Sequence, residues 1–256
     1  MDFLLYIIAG ASVGFIVGLT GIGGGALMTP LLLLFGFPPN IAIGTDLMYA
    51  GLTKASGAWT HHKQGHVNWT ILKYLAVGSI TASLITGIAL SHFFESSEQY
   101  GYLLTTVLGA MLLFTACAII FRPWLQRWSS SLLGESTKSI AIITTLSGVI
   151  LGVLVTLSSV GAGAIGTALL MILYPALRST HVVGTDIAHA VPLTLAAGAI
   201  HTYLGNVDFS LLGALLIGSI PAIHVASKLA RHIPETILRN ALASMLFGLG
   251  IKYSLF

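Results

Sequence analysis

The sequence predicts an all-α membrane protein made of two inverted repeats of about five hydrophobic segments each, with glycine-interrupted, discontinuous helices. Three observations predict it: scarce charge, uncharged stretches long enough to cross a bilayer, and a set of motifs that occurs twice in one order. Of 256 residues, 55% are hydrophobic and only 7% charged, where a soluble domain carries about 25% charged. No charged residue lies between Asp2 and Asp46, or between Lys138 and Arg178. Each gap exceeds the roughly 20 apolar residues that span a bilayer. The first apolar run lacks a basic n-region and an isolated cleavage site, so it reads as a retained helix.

Apolar runs place segments at about 3–20, 26–37, 41–61, 69–92 and 100–121, then 139–157, 162–176, 181–203, 209–227 and 237–255. Between the two sets lies "RPWLQRWSSSLLGESTK", residues 122–138, the longest charge-bearing break. The organisation expected is a first transmembrane repeat over 1–121, a cytoplasmic linker over 122–138 and a second repeat over 139–256, forming one membrane domain. The repeat is visible directly: "IGTDLMYA" at 43–50 aligns with "VGTDIAHA" at 183–190, and "HHKQGHVNW" at 61–69 with "HTYLGNVDF" at 201–209. Upstream, with an offset two residues shorter, Gly10, Gly14, Gly23 and Gly25 align with Gly148, Gly152, Gly161 and Gly163. Such self-similarity is the mark of a duplicated unit.

Basic residues set the orientation. Lys54, Lys63 and Lys73 flank the loop 61–68, Arg122, Arg127 and Lys138 mark 122–138, and Lys228, Arg231 and Arg239 mark 227–239. These three loops are expected to be cytoplasmic. The loop 92–99 carries only Glu95 and Glu98, and 204–208, the counterpart of 61–68, holds Asp208 and no Lys or Arg. Equivalent loops on opposite sides define inverted repeats. Inversion needs an odd number of crossings per half, so the pair at 3–37 counts as two traverses or none. The positive net charge, +3, follows from these flanking residues and does not indicate nucleic acid. Cys117, the sole cysteine, excludes an internal disulfide and a paired-thiol chemistry.

The glycine cluster "GLTGIGGGAL" at 18–27 raises two alternatives. A dinucleotide loop needs a strand–turn–helix context, which an uncharged spanning run does not provide, and no Gly-Lys-Ser/Thr follows for a phosphate loop. A break in a membrane helix fits instead: glycine permits positive φ and close backbone approach, and unwound backbone at depth survives only against protein or a watery cavity. Segments 26–37 and 162–176 are short, and each reads as a half-helix whose positive end faces the break. Small residues can also serve helix packing alone.

"GxGGG", a proline-containing apolar stretch and "AxGTD", carried by Gly21, Gly23, Gly24, Gly25, Pro30, Ala42, Gly44, Thr45 and Asp46, resemble the TauE/SafE sulfite exporter family of bacterial membrane permeases. In the second half "SSVGAGAIG" replaces the glycine triplet, and no proline follows at the matching position. The resemblance implies a secondary transporter, an exporter of sulfite, organosulfonates or related small sulfur-containing anions, in the cell inner membrane, with two repeats around one central path. No cofactor and no metal are expected.

On this basis the substrate-facing set is Thr20, Gly21, Gly23, Gly24, Gly25 and Thr45 from the first half. From the second half it is Ser158, Ser159, Gly161, Gly163 and Thr185. Thr45, Asp46, Thr185 and Asp186 are expected to begin the helices that follow each half-helix, where Thr or Asp caps free N–H groups. Ionisable groups within a span are costly and usually functional. Asp46 and Asp186 are therefore charge or coupling candidates, with His189 one turn from Asp186 as a neutral-pH titrating partner and Tyr49 in the equivalent first-half place. Lys54, two turns after Asp46, either supplies positive charge or snorkels to the interface. His61, His62 and His66 lack acidic or thiol company for a metal and read as interfacial.

No residue set suits an intramembrane enzyme. A passive anion channel or a cation-coupled carrier for another small substrate stays open. The partners expected are the small anion and the lipid bilayer, and a homo-oligomer stays open.

Overall fold

The computed structural model describes residues 2–20, 25–94, 99–129, 137–229 and 235–255. The described residues form ten helices and no strands: α1 Asp2–Thr20, α2 Gly25–Leu34, α3 Pro39–Lys63, α4 Trp69–Phe93, α5 Gly101–Ser129, α6 Thr137–Ser158, α7 Ala164–Leu173, α8 Ser179–Tyr203, α9 Phe209–Leu229 and α10 Glu235–Leu255. All ten apolar runs become helices because uninterrupted apolar sequence in lipid must satisfy its backbone internally. Five of them, in α4, α5, α6, α8 and α9, are long and apolar enough to cross a membrane. One boundary moves: α5 continues through Ser129, past the apolar run ending at 121, while 130–136 lie outside the described residues.

The helices are inside-out by soluble standards. On α4, Val77, Leu84, Ile85 and Ile88 are exposed while Gly78, Ser79, Ala82 and Ser83 are buried. Large apolar groups thus face outward and small or hydroxylated ones inward, the arrangement of a helix packed against protein in lipid. In water it would amount to an exposed apolar patch of the kind that drives association.

The principal pairings are α1 with α9, α4 with α6, α3 with α8 and α5 with α10. Exchanging α1–α5 with α6–α10 maps this list onto itself. Glycines make the seams. A Cβ on Gly10 or Gly14 would strike the α9 backbone at Leu215 or Ser219; one on Gly148 or Gly152 would strike the α4 backbone at Leu75 or Ser79. These glycines are the ones the repeat aligns. Along both seams the numbering rises together, so α1 runs parallel to α9 and α6 parallel to α4. In contrast α5 and α10 are antiparallel, with Gly109 against Ser254 and Gly250 against Leu113. So are α3 and α8: the Asn40 amide donates to Asn206 Oδ1, just beyond the end of α8, at 2.8 Å, and the ring of His66, just beyond α3, meets that of His181 near the start of α8 edge to face, with centroids 5.4 Å apart.

Helices α3 and α1 both run with α9, since Thr45 meets Asp208 before α9 and Tyr49 meets Ser219 further along it. The short α2 and the loop after it therefore carry the chain back.

The α3–α4 and α8–α9 turns are built alike. Asn68 Oδ1 accepts the N–H groups of Thr70 and Ile71 at 3.1 and 3.2 Å, and Asp208 Oδ1 accepts those of Ser210 and Leu211, both at 2.9 Å. Each caps its helix with a short acceptor side chain. Asn68→Ala is expected to cost about 0.5–2 kcal/mol, read as a lower unfolding temperature in detergent; an unchanged temperature would mean that the cap contributes nothing.

Candidate functional site

The site grows from one break. Helix α6 ends at Ser158 and α7 begins at Ala164, and the connection is buried, Ser158 at 0%, Ser159 at 2% and Val160 at 0% exposure. Ser159 has φ 59° and Gly161 φ 119°. Glycine takes positive φ at no cost, but a serine there is held by its surroundings, and the first half has Gly21 at the equivalent place. The turn is tied locally: Ser158 Oγ donates to Leu154 O at 2.6 Å and accepts from Val160 N–H at 3.1 Å, and Gly161 O accepts from Gly166 N–H at 3.1 Å. Ser158 thus spends its hydroxyl on the turn. Ser159 Oγ is buried and accepts no hydrogen bond.

The four charge candidates converge beside this break. Lys54 is 8% exposed and its Nζ donates to Ala162 O at 2.6 Å, so it crosses from α3 into the second-half break instead of snorkelling. It lies within electrostatic range of both Asp186 and Asp46, and His189 lies within range of Lys54. Both aspartates are buried, at 0% and 1% exposure.

The aspartates do not begin their helices. Helix α3 starts at Pro39 and α8 at Ser179, which puts Thr45, Asp46, Thr185 and Asp186 about two turns in, where the backbone N–H groups are already used. The capping expectation is corrected accordingly. Asp46 instead reaches α2: its Oδ2 accepts from Thr29 Oγ1 at 2.5 Å and from Thr29 N–H at 3.2 Å. Asp186 reaches α7, its Oδ2 accepting from Thr167 Oγ1 at 2.8 Å, and Gly166 gives it room, since a Cβ there would meet the carboxylate. Each half-helix is therefore fastened to the long helix that follows it.

Thr45 and Thr185 join the halves. Thr45 Oγ1 accepts from Asp208 N–H at 3.1 Å, and Thr185 Oγ1 accepts from Asn68 N–H at 2.9 Å. Their hydroxyl oxygens hold the turn of the opposite half. The first glycine break, with Gly21, Gly23 and Gly24, lies outside the described residues, as do the side chain of Thr20 and the surroundings of Gly25, the first residue of α2.

Several site residues escaped the sequence. His189 Nε2 shares a 2.8 Å hydrogen bond with Ser79 Oγ on α4. Its counterpart Tyr49 is 1% exposed and sits against Ser219 of α9, and the repeat that aligns Tyr49 with His189 also aligns Ser79 with Ser219. Thr29 aligns with Thr167 in the same way. The duplication contained these pairs, but serine and threonine are too common in membrane helices to stand out singly. Just beyond α8, Asn206 donates to Tyr100 Oη at 2.7 Å and meets Nδ1 of His201, in the last turn of α8, at 3.2 Å, and His201 Nε2 lies 2.9 Å from Thr156 O. The equivalent place holds His61 and His66, with ring centroids 5.7 Å apart. Among the described residues no group of three His, Cys, Asp or Glu is placed to hold a metal.

An all-helical bundle with several helices long and apolar enough to span, apolar outside and holding buried ionisable groups around a helix break, has the build of a multi-pass membrane protein. The sulfite exporter TauE/SafE family profile matches residues 6–253, and the chain belongs to that family. It is similar to the Bacillus subtilis (strain 168) protein named "Probable membrane transporter protein YjnA", 40% identical over 254 residues, covering 96% of this chain and 97% of that one. It is also similar to "Probable membrane transporter protein YdhB" of the same organism, 29% identical over 242 residues, covering 93% and 95%. No solved structure matches the chain at significance. A small-molecule substrate and the lipid bilayer are the partners this membership entails.

Proposed function

We propose that the chain is a secondary transporter that exports sulfite or a small organosulfonate across the inner membrane by alternating access, with its basic loops 61–68, 122–138 and 227–239 cytoplasmic. The observation that carries the reading is Lys54. A buried ammonium sits at the broken backbone of Ser158–Gly163 with a carboxylate from each half in range. A fixed cation beside unwound backbone is what a small anion needs in a low-dielectric interior. The two-half architecture is read as a pair of inverted repeats, 1–121 and 139–256, and the antiparallel α3/α8 and α5/α10 pairs support that. Substrate would then pass between the halves, past Ser159, Gly161 and Gly163 and the matching first break at Thr20–Gly25, with Thr45 and Thr185 setting how the halves meet.

Radiolabelled sulfite uptake into proteoliposomes, competed with taurine, sulfoacetate and sulfate, tests this. Saturable flux reduced by the sulfonates is expected. Flux no greater than in empty liposomes would remove the substrate assignment, and flux linear in concentration would replace the carrier with a passive pore.

A further inference from the structure

The outward faces of α3 and α4 end differently from those of α8 and α9. Leu52 and Trp59 lie on one face of α3, and Trp69, Val77 and Leu84 on one face of α4, all of them exposed. Apolar groups thus cover both helices up to the turn between them, where Gln64 and Gly65 are exposed. Trp59 and Trp69 therefore stand at the boundary between lipid and water, the level at which tryptophan collects. There the side chains touch in a row. Lys63 Nζ lies over the Trp59 ring, 5.2 Å from its centroid, the Trp59 ring is 5.9 Å from that of His62, and His62 meets Trp69 edge to face at 5.3 Å. Lys73 is exposed one turn beyond Trp69 on the same face of α4. The row joins two helices and presents two ammonium and two indole N–H groups, none with a hydrogen-bond or ion-pair partner among the described residues.

The chain gives these cations no counter-charge. No Asp or Glu occurs between Asp46 and Glu95, and the helices packed on α4, α6 and α8, carry a single acid, Asp186, which is buried at the central site. The duplication provides a comparison. At the opposite end of the bundle the aligned residues are Ala199, Thr202, Tyr203, Phe209 and Gly213. Tyr203 and Phe209 are exposed rings, as an interfacial belt asks of either end, yet no cation and no indole is among the five. A belt explains rings at both ends. It does not explain why charge and N–H donors gather at one.

We infer that this patch is a binding site for an anionic phospholipid. The Lys63 and Lys73 ammonium groups neutralise its headgroup, as basic side chains do at an anionic leaflet, the indole N–H groups of Trp59 and Trp69 donate to its oxygens, and its acyl chains descend along Leu52, Val77 and Leu84. A lipid in this position ties α3 to α4 across the turn that Thr185 of the other half holds through Asn68. The inference is independent of the substrate proposed above.

Its test needs no transport. Trp124→Phe with Trp128→Phe leaves Trp59 and Trp69 as the tryptophans of the full chain. The protein is reconstituted in phosphatidylcholine vesicles to which a lipid brominated on its acyl chains is added, since bromine quenches a tryptophan it touches. Each basic side chain favours an anionic surface by about fivefold, so half-quenching by brominated phosphatidylglycerol is expected at a mole fraction about 10- to 30-fold lower than by brominated phosphatidylcholine. Lys63→Gln with Lys73→Gln, both at exposed positions, should erase that difference. Phe209→Trp, combined with Trp59→Phe and Trp69→Phe, exchanges one exposed ring for another and reports on the opposite end, where no preference is expected. Equal quenching by the two lipids at Trp59 and Trp69, a preference that survives the double lysine change, or an equal preference at position 209 overturns the inference. Inorganic phosphate, added at constant ionic strength, should leave the preference unchanged; phosphate that abolishes it would assign the patch to a soluble anion and overturn the lipid site.

Discussion

Lys54→Met is expected to abolish anion transport while the protein still reaches the membrane. The substitution keeps most of the side chain's length and apolar bulk, so the α3–α8 packing has material to fill it. It removes the donor to Ala162 O and the positive charge shared by Asp46 and Asp186. Truncating one partner of a buried, hydrogen-bonded charge contact costs binding about 2–5 kcal/mol, and each ~1.4 kcal/mol is a factor of ten, so anion flux below saturation should fall by at least about 30-fold. Initial rates of uptake in proteoliposomes, normalised to reconstituted protein, provide the check. Lys54→Arg separates charge from shape: it retains the cation but forks it, and should recover part of the rate. Wild-type flux in Lys54→Met would show that the ammonium does not serve the substrate.

The second large effect is structural. Gly152→Ile is expected to prevent the α4–α6 seam from closing, because even a Cβ at this position would overlap the backbone of Ser79, and backbone cannot be repacked as a side chain can. Overpacking costs about 1–3 kcal/mol where side chains can shift and should exceed that here. For a chain of this size about 3 kcal/mol corresponds to roughly 6–12 °C in Tm. Gly213→Ala is the control, since a Cβ there meets nothing within 4 Å. Monodispersity and unfolding temperature in detergent would be compared for the two variants; equal stability would mean that α4 and α6 do not need this close approach.

The helices were legible because composition decides so much in a membrane. An apolar run with no charge from Phe3 to Thr45 leaves the backbone few options, and the short segments 26–37 and 162–176, each following a glycine cluster, announced the breaks. The buried pairs were less legible. Lys54 could be read as snorkelling because eight residues of helix after Asp46 give a direction but not the depth of the neighbouring helices, and only the approach of Ala162 shows where the amine ends. Asp46 and Asp186 looked like caps because a threonine–aspartate pair after a half-helix has the chemistry of one. Pro39, a residue suited to the first helical turn, was the signal that α3 starts earlier. Ser79 and Ser219 lay inside the aligned repeat, and asking which hydroxyls recur opposite Tyr49 and His189 would have singled them out.

The seams between α1 and α9 and between α4 and α6 have a bearing on biogenesis. Helix α1 is synthesised long before its partner, so it enters the bilayer with Gly10, Gly14 and Gly18 facing lipid or a transient companion, and its lasting contacts are made only once α9 arrives. Contacts so distant in sequence make assembly slow. They also make it indivisible, because neither half can bury its own first helix: an insertase or chaperone that shelters lone helices would have to hold α1 through most of translation, and quality control would see the chain as unfinished until α9 is in place.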